Sequence, residues 1–188
     1  MNWPANVSGP ISHKVIGLQQ GTNYTFRVCG RDQGAPITAC GQERRFETQA
    51  PDRASGTGSG TLTGGGPVTA TVNASSGPSG ENPTGSVNLQ ALVNGALLTF
   101  DGTVRCLSAG AAAANLIATG PVRSNGALVG TQTLYARVVP SPTPGQGTMD
   151  YRFSIEPPSP SCALHLFSDD VVKGDFTVTD NQPPSPPT

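Results

Sequence analysis

The two histidines, His13 and His165, are the side chains best suited to acid–base catalysis near neutral pH. They lie in different halves of the chain, and His165 stands between two leucines, which places it on the polar face of a predicted strand. No Gly-x-Ser-x-Gly motif supplies a nucleophile, and the Gly64-Gly65-Gly66 run lacks the lysine of a phosphate-binding loop. We therefore interpret both histidines as surface residues and expect no catalytic residue and no enzyme activity.

Carboxylates occur at several predicted strand ends, but their spacing does not define a site. Glycoside cleavage needs two carboxyl groups held across a substrate, and the sequence does not place Asp101, Asp150 or Glu156 at such a distance from one another. The acidic residues that begin at Asp169-Asp170 lack the Asp-x-Asp-x-Asp-Gly spacing of a calcium loop. We interpret these residues as solvated turn residues and predict no metal site and no cofactor.

The four cysteines, Cys29, Cys40, Cys106 and Cys162, are spaced for bridges rather than for a metal. None of them forms a Cys-x-x-Cys pair, so the spacing of a zinc site is absent. Four cysteines allow three pairings. We favour Cys29–Cys40 and Cys106–Cys162 because each bridge then stays inside one module. Four reduced, buried thiols are the alternative.

A sugar ligand would need exposed aromatic rings as platforms, and few are available. The chain has one Trp, three Tyr and six Phe, and most of the Tyr and Phe occupy strand positions typical of a core. Trp3 and Tyr135 are therefore the candidate ligand contacts. Carbohydrate binding becomes the second of two candidate functions.

The composition restricts both the fold and the partners. The chain has 188 residues, of which 24 are Gly and 18 are Pro, and this opposes long helices because both residues disfavour a helix interior. The net charge of −1 supplies no field to attract nucleic acid. No stretch approaches the ~18 consecutive apolar residues of a membrane span. We therefore expect an all-β protein with no nucleic-acid partner and no membrane insertion.

The segment from Leu18 to Val28 has the layout of a tyrosine corner. Leu18 precedes Tyr24 across a Gly-containing turn, and Tyr24, Phe26 and Val28 then alternate with polar residues, which is typical of a half-buried strand. Residues 13–18 are predicted to form a short strand before the corner. A loop over residues 30–37 then leads to a returning strand.

This region resembles the C-terminal half of a fibronectin type III domain over about residues 12–48. The matching residues are Leu18, Gly21, Thr22, Tyr24, Phe26, Val28 and Phe46-Glu47-Thr48. The resemblance implies a partial β-sandwich with Leu18 and Tyr24 as its corner pair. The first strands of the family have no room ahead of Tyr24. We therefore expect either that Met1 is not the biological start or that the second module covers the open face.

Residues 49–60 are rich in Gly and Ser and lack apolar periodicity, so they are predicted to be a flexible linker. Residues 61–180 alternate short strands with Gly, Pro and Ser turns, which indicates a β-sandwich or barrel module. Within it, the Ala-rich segment 111–118 has local helix propensity, but its all-β surroundings favour a strand. Residues 181–188 are predicted to be a Pro-rich tail.

The second module resembles a β module that recurs in secreted actinobacterial proteins. The resemblance rests on Gly58-Ser59-Gly60-Thr61, on the loop 76–85 and on the strand 102–107. It implies no catalytic residue. Together with the cysteines, it predicts an extracellular or cell-envelope location, although the chain itself carries no secretion signal.

We therefore predict a non-catalytic structural or protein-interaction module of a larger secreted or cell-envelope bacterial protein. Its expected partners are other protein domains or components of the cell envelope. The alternative is a carbohydrate-binding accessory module of a polysaccharide-acting enzyme, for which glycan would be the partner.

Overall fold

The computed structural model of the chain describes residues 12–31, 37–155, 162 and 170–181. Strands and turns account for the secondary structure of these residues, so the all-β prediction is confirmed. The chain divides into two compact units, Met1–Ala50 and Pro51–Thr188. The strands are β1 (Asn23–Phe26), β2 (Cys29–Arg31), β3 (Ile37–Cys40), β4 (Arg44–Glu47), β5 (Asp52–Thr61), β6 (Pro67–Ser76), β7 (Thr84–Val93), β8 (Ala96–Gly110), β9 (Ala113–Ser124), β10 (Ala127–Val139), β11 (Gly147–Ser154) and β12 (Asp170–Thr179).

The first unit contains two short antiparallel ladders, β1 with β4 and β2 with β3. Tyr24 lies opposite Phe46, and their rings stack with centroids 5.8 Å apart. The prediction of a strand over residues 13–18 is wrong, because this segment pairs with no strand in the described part of the unit. Its apolar side chains, Val15 and Ile16, are exposed as a consequence.

Strand β1 forms where alternation predicts it, and Tyr24 is half-buried as expected. Phe26 at its end, Val28 beyond it and Phe46 on β4 are exposed instead. Phe26 is 48% exposed, Val28 is 65% exposed and Phe46 is 38% exposed. A two-stranded ladder has no second sheet of its own to cover such a face, and isolated ladders of this size are marginally stable. The first unit therefore presents an apolar aromatic face.

The second unit is a closed barrel of eight antiparallel strands, β5 to β12. Each strand pairs with the next one along the chain, and β12 pairs with β5 to close the ring. This is an up-and-down barrel, in which closure removes the unpaired edges that an open sheet presents. The sequence did not distinguish a sandwich from a barrel for residues 61–180. The structure is a barrel, and it begins earlier, at Asp52. The segment 113–118 lies in β9, so its assignment as strand is confirmed.

The predicted linker over residues 49–60 is wrong from Asp52 onward, because these residues form β5. This strand pairs with β6 along one side and with β12 along the other. Its inward positions include Gly56 and Gly58, and a Cβ built on either glycine would lie within 2.8 Å of the ring of Phe176. Gly therefore alternates with Ser and Thr because the glycines occupy inward positions of the strand, where no side chain fits. Phe176 occupies the space that they leave.

Large apolar side chains fill the barrel toward the end where β8 and β10 finish. Leu107, Leu116 and Val138 are fully buried there, and Leu134 and Met149 lie deeper in the interior. An eight-stranded barrel is just wide enough to be filled by side chains or to hold one small ligand. At this end side chains fill it.

Asp52 is a buried carboxylate at the same end of the barrel. The backbone N–H of Asn181 donates a hydrogen bond to its Oδ1 at 2.9 Å, and the Asn181 side-chain amide donates to the carbonyl of Pro51 at 2.8 Å. Burial raises the pKa of Asp52 above its ordinary value, the hydrogen bond from Asn181 opposes this, and the charges of Asp180 and Glu81 add to it. This end of the barrel therefore favours the protonated acid.

We expect Gly58→Ala to lower the free energy of unfolding by about 1–3 kcal/mol, because the new methyl group collides with Phe176 and with the carbonyl of Lys173. Gly130→Ala is the matched control: Gly130 is also a barrel-strand glycine, and no atom lies within 4 Å of a Cβ added there. Its effect should stay within about 0.5 kcal/mol. Urea unfolding followed by circular dichroism measures both. Equal effects of the two substitutions would contradict the packing of β5.

We expect Asp52→Asn to change the pH dependence of stability. Because the folded-state pKa is raised, the carboxyl stabilises the fold most below its ordinary pKa of 3.8, and this contribution is lost as the pH rises through the folded-state value. The variant should therefore gain stability relative to the wild type as the pH rises from 3 to 7. Urea unfolding of both proteins at several pH values measures the difference. A difference that is constant or that shrinks with pH would refute the assignment.

Candidate functional site

The barrel holds a cavity of about 350 Å³ at the end opposite Asp52. Apolar side chains from several strands line it, among them Val68, Ala91, Val122 and Phe153. Larger side chains, among them Leu89, Leu98 and Phe100, also line it. The barrel is therefore filled toward one end and holds a cavity toward the other.

Tyr151 is the buried polar group of this cavity. It lies on β11 with only 5% of its surface exposed, between Met149 and Phe153 on the inward face. Its hydroxyl has no hydrogen-bond partner among the described residues. A buried polar group without a partner costs about 1–3 kcal/mol, and a buried tyrosine hydroxyl usually finds one. The hydroxyl oxygen itself has almost no accessible surface, so the part of Tyr151 that lines the cavity is its apolar ring.

Asp170 lies beside Tyr151 as its cross-strand partner on β12, and it also lines the cavity. Its Oδ1 accepts hydrogen bonds from the backbone N–H of Thr63 at 2.7 Å and from the Thr63 hydroxyl at 2.9 Å. The turn between β5 and β6 thus holds the carboxylate in place. Burial, and secondarily the charge of Asp170, raise the pKa of Tyr151 well above its ordinary value. The phenol therefore stays neutral and remains a hydrogen-bond donor.

Exposed apolar side chains surround the same end of the barrel. Among the described residues of this unit, each large apolar side chain that is exposed lies at or beside a strand end there. We call these residues the apolar rim: Leu92, Leu97, Leu128, Val129, Ile155 and Val171. Val129 belongs to both features, since it is 64% exposed and also lines the cavity. The exposed large apolar side chains of this unit are therefore concentrated at the end of the barrel that holds the cavity.

The two disulfides join the favoured cysteine pairs. Cys29 lies opposite Cys40 in the β2–β3 ladder and is bonded to it. Cys106 on β8 is bonded to Cys162, which lies between β11 and β12 in the chain although neither strand neighbours β8. Ile117, the cross-strand partner of Cys106, is fully buried but lies outside the interior core. Two disulfides indicate a non-reducing compartment.

The tyrosine-corner residues are close together in the first unit. The Tyr24 hydroxyl accepts a hydrogen bond from the backbone N–H of Gln19 at 2.8 Å, the contact that ties such a corner to its own backbone. Leu18 is half-buried beside this turn. The corner fixes the chain ahead of β1 and offers no group for chemistry.

The candidate ligand and acid–base residues that the structure describes do not come together in a site. Tyr135 is half-buried on β10, at a position that alternates with the inward side chains, and does not line the cavity. Asp101 accepts a hydrogen bond from the Asn88 side chain on β7, while Asp150 lies on β11, which is not adjacent to β8. His13 is exposed. Outside the described residues lie Trp3, Glu156, His165, Asp169 and the tail after Asn181.

In residues 12–31, 37–155, 162 and 170–181, no group of three His, Cys, Asp or Glu side chains is placed to hold a metal ion. Over the same residues, no helix is long and apolar enough to cross a membrane.

Sequence reasoning missed Tyr151 and Asp170 as a pair. The alternation of Met149, Tyr151 and Phe153 reads as one apolar face, and Asp170 reads as part of an acidic turn. Only the register of β11 with β12 shows that the two residues are neighbours. The available signal was a tyrosine at an inward strand position, because its hydroxyl needs a polar partner inside the barrel.

Comparison of the chain with protein-family models, with curated proteins and with solved structures finds no match. A function for the barrel must therefore be argued from the chemistry of its own residues.

We expect the double substitution Cys106→Ser and Cys162→Ser to lower the free energy of unfolding by about 4 kcal/mol. The bridge joins residues 56 positions apart, and cutting it restores the loop entropy of the unfolded chain. Urea unfolding of the wild type and of the variant measures this. An unchanged unfolding midpoint, or complete reaction of the wild-type cysteines with a thiol reagent before any reduction, would show that the bridge is not part of the folded protein.

Proposed function

We propose that this chain is a non-catalytic binding segment of a secreted or cell-envelope protein, and that its barrel takes up a small, largely apolar molecule. The observation that carries the proposal is the mostly apolar cavity of about 350 Å³ at one end of the closed barrel. Side chains that line such a cavity lack packing partners on one side, and an apolar ligand would supply the missing dispersion contacts.

The size of the cavity sets the size of the molecule. Ligand pockets begin at about 300 Å³, and the cavity of about 350 Å³ lies at this lower bound. A water molecule occupies about 30 Å³ in the liquid, so the cavity accommodates on the order of a dozen non-hydrogen atoms. The apolar rim lies at the same end of the barrel.

The proposed location and partners follow from other features. The disulfides support an exported protein, and the resemblance of the second module to secreted actinobacterial proteins supports a bacterial one. The exposed apolar side chains Phe26, Val28 and Phe46 support contact with a further protein domain. In this proposal the first unit makes the protein contact and the barrel holds the ligand.

Carbohydrate binding gains no support from the two rings that suggested it. Tyr135 is half-buried, and Trp3 lies outside the described residues. The cavity has a predominantly apolar lining, whereas a sugar would need hydrogen-bonding partners for each buried hydroxyl. We therefore do not propose it.

We expect 2-methylnaphthalene, which has eleven carbon atoms and fits about a dozen, to bind the barrel and to perturb the backbone amide signals of cavity residues in a two-dimensional NMR titration. Ala91→Phe places a ring inside the cavity and should weaken binding at least tenfold. Ala127→Phe is the matched control, because it adds the same ring at an exposed position outside the cavity. Thermal unfolding confirms that both variants fold.

Three outcomes would count against the cavity as the binding site. The first is the absence of any saturable shift in the wild type. The second is a shift pattern that avoids the residues lining the cavity. The third is an equal loss of affinity in Ala91→Phe and Ala127→Phe.

A further inference from the structure

We propose that the cavity prefers an apolar molecule with a single positive charge, and that the charged group lies at the mouth of the barrel beside Asp170. This preference rests on the proposed binding function and names the ligand class more closely. Three observations support it. They are the position of the Asp170 carboxylate, the lack of a cation in the described lining, and the effect of the Asp170 charge on a second lining residue.

The Asp170 carboxylate lies at the end of the barrel that holds the cavity. Asp170 begins β12 two residues before the fully buried Val172, so both residues belong to the inward face, and Asp170 lines the cavity. The backbone N–H and the hydroxyl of Thr63 both donate to its Oδ1, at 2.7 and 2.9 Å. An ionised carboxylate has about four acceptor positions, of which these two bonds occupy about half. Asp170 is therefore held in place and retains the capacity to accept from a ligand.

No positive charge in the described lining balances Asp170. The other described lining residues are apolar or neutral, and none of them is Lys, Arg or His. Arg152 on β11 and Lys173 on β12 are exposed and alternate with inward residues, so they lie on the outside of the barrel. Arg123 occupies an outward position on β9, three strands from β12 around the ring. Water and salt screen charges on the outer surface, so the cavity presents a negative charge to a ligand.

The charge of Asp170 acts on the cavity wall. Tyr151 lies opposite Asp170 in the β11–β12 ladder, and its ring lines the same cavity. Burial is the larger cause of the raised pKa of Tyr151, and the negative charge of Asp170 raises that pKa further. The potential at this part of the wall therefore disfavours a second negative charge. The same potential stabilises a positive charge.

An amphiphilic cation matches both parts of the site. Its apolar body would contact the lining side chains that lack packing partners. A charged group buried among those side chains would lose its hydration at a large cost in free energy. Asp170, by contrast, is only half-buried, so a charged group beside it keeps contact with water and gains Coulomb attraction. A carboxylate in that position would be repelled, and a hydroxyl group would gain no attraction between opposite charges.

A matched series of naphthalene derivatives tests the proposal at pH 7. The probes are 2-methylnaphthalene, 2-naphthalenemethanol, 2-naphthoate and 2-naphthalenemethylammonium, which share one apolar body and differ in the head group. Isothermal titration calorimetry measures their Kd values. We expect the ammonium compound to bind about tenfold more tightly than the alcohol, and the alcohol to bind at least about threefold more tightly than the carboxylate. In NMR spectra, the backbone amides that differ most between the ammonium and alcohol complexes should be those of Thr63 and Asp170.

One variant assigns the preference to Asp170. Asp170→Asn removes the negative charge but keeps an oxygen that can accept from Thr63. It should bring the affinities for the ammonium compound and for the alcohol to within about threefold of each other. Asp175→Asn is the matched control, because Asp175 is an exposed carboxylate on the same strand, accepts a hydrogen bond from the backbone N–H of Gly145 and does not line the cavity. It should retain the wild-type preference.

The outcomes separate the two proposals. If none of the four probes binds, the cavity is not a ligand site and both proposals are wrong. If 2-methylnaphthalene binds in the cavity but the ammonium compound binds no more tightly than the alcohol, binding stands and the charge preference is overturned. An ammonium preference of equal size in Asp170→Asn and in the wild type also overturns it. Should Asp170→Asn fail to fold, the affinities and the NMR mapping of the wild-type protein decide by themselves.

Discussion

The pairing of β12 with β5 is the interaction on which the rest of the structure depends, because it closes the barrel and fixes its width. Inside a closed ring of eight strands, the volume that each inward side chain occupies decides whether a neighbour fits. Strand β5 supplies Gly56 and Gly58 at its inward positions, and Phe176 of β12 lies against both. A strand with ordinary inward side chains would displace that ring. Closure of the barrel between β5 and β12 therefore requires that β5 carry small residues where it faces Phe176.

The two ends of the closed barrel differ in how they are filled. Toward the end that contains Asp52, residues such as Leu107 and Phe176 fill the interior. Toward the other end a cavity remains whose polar groups are few. The register of β11 with β12 places Tyr151 opposite Asp170, and both residues line this cavity. The binding proposal therefore follows from the mostly apolar space that the closed barrel encloses.

The sequence predicts much of the fold, because alternating apolar residues and turn residues mark most of the strands. The cysteine pairing was also predictable, because only one of the three possible pairings keeps each bridge within one module. It fails at β5, where Gly alternates with Ser and Thr. Inward and outward residues of this strand differ in size but little in hydropathy, so the segment resembles a linker. The pairing of Tyr151 with Asp170 could not be predicted either, since a shift of one residue would move one partner to the other face. Such contacts depend on register, which local patterns do not determine.

Amide hydrogen exchange of β5, followed residue by residue by NMR, tests barrel closure most directly. Because β5 lies between β6 and β12, its backbone N–H groups are held in ladders on both sides. The account predicts that the amides of Gly56 and Gly58 exchange as slowly as that of Val104 in β8, through opening of the whole barrel. Exchange at the rate of an unstructured chain over residues 53–60 would show that this segment is a linker and that the barrel is not closed.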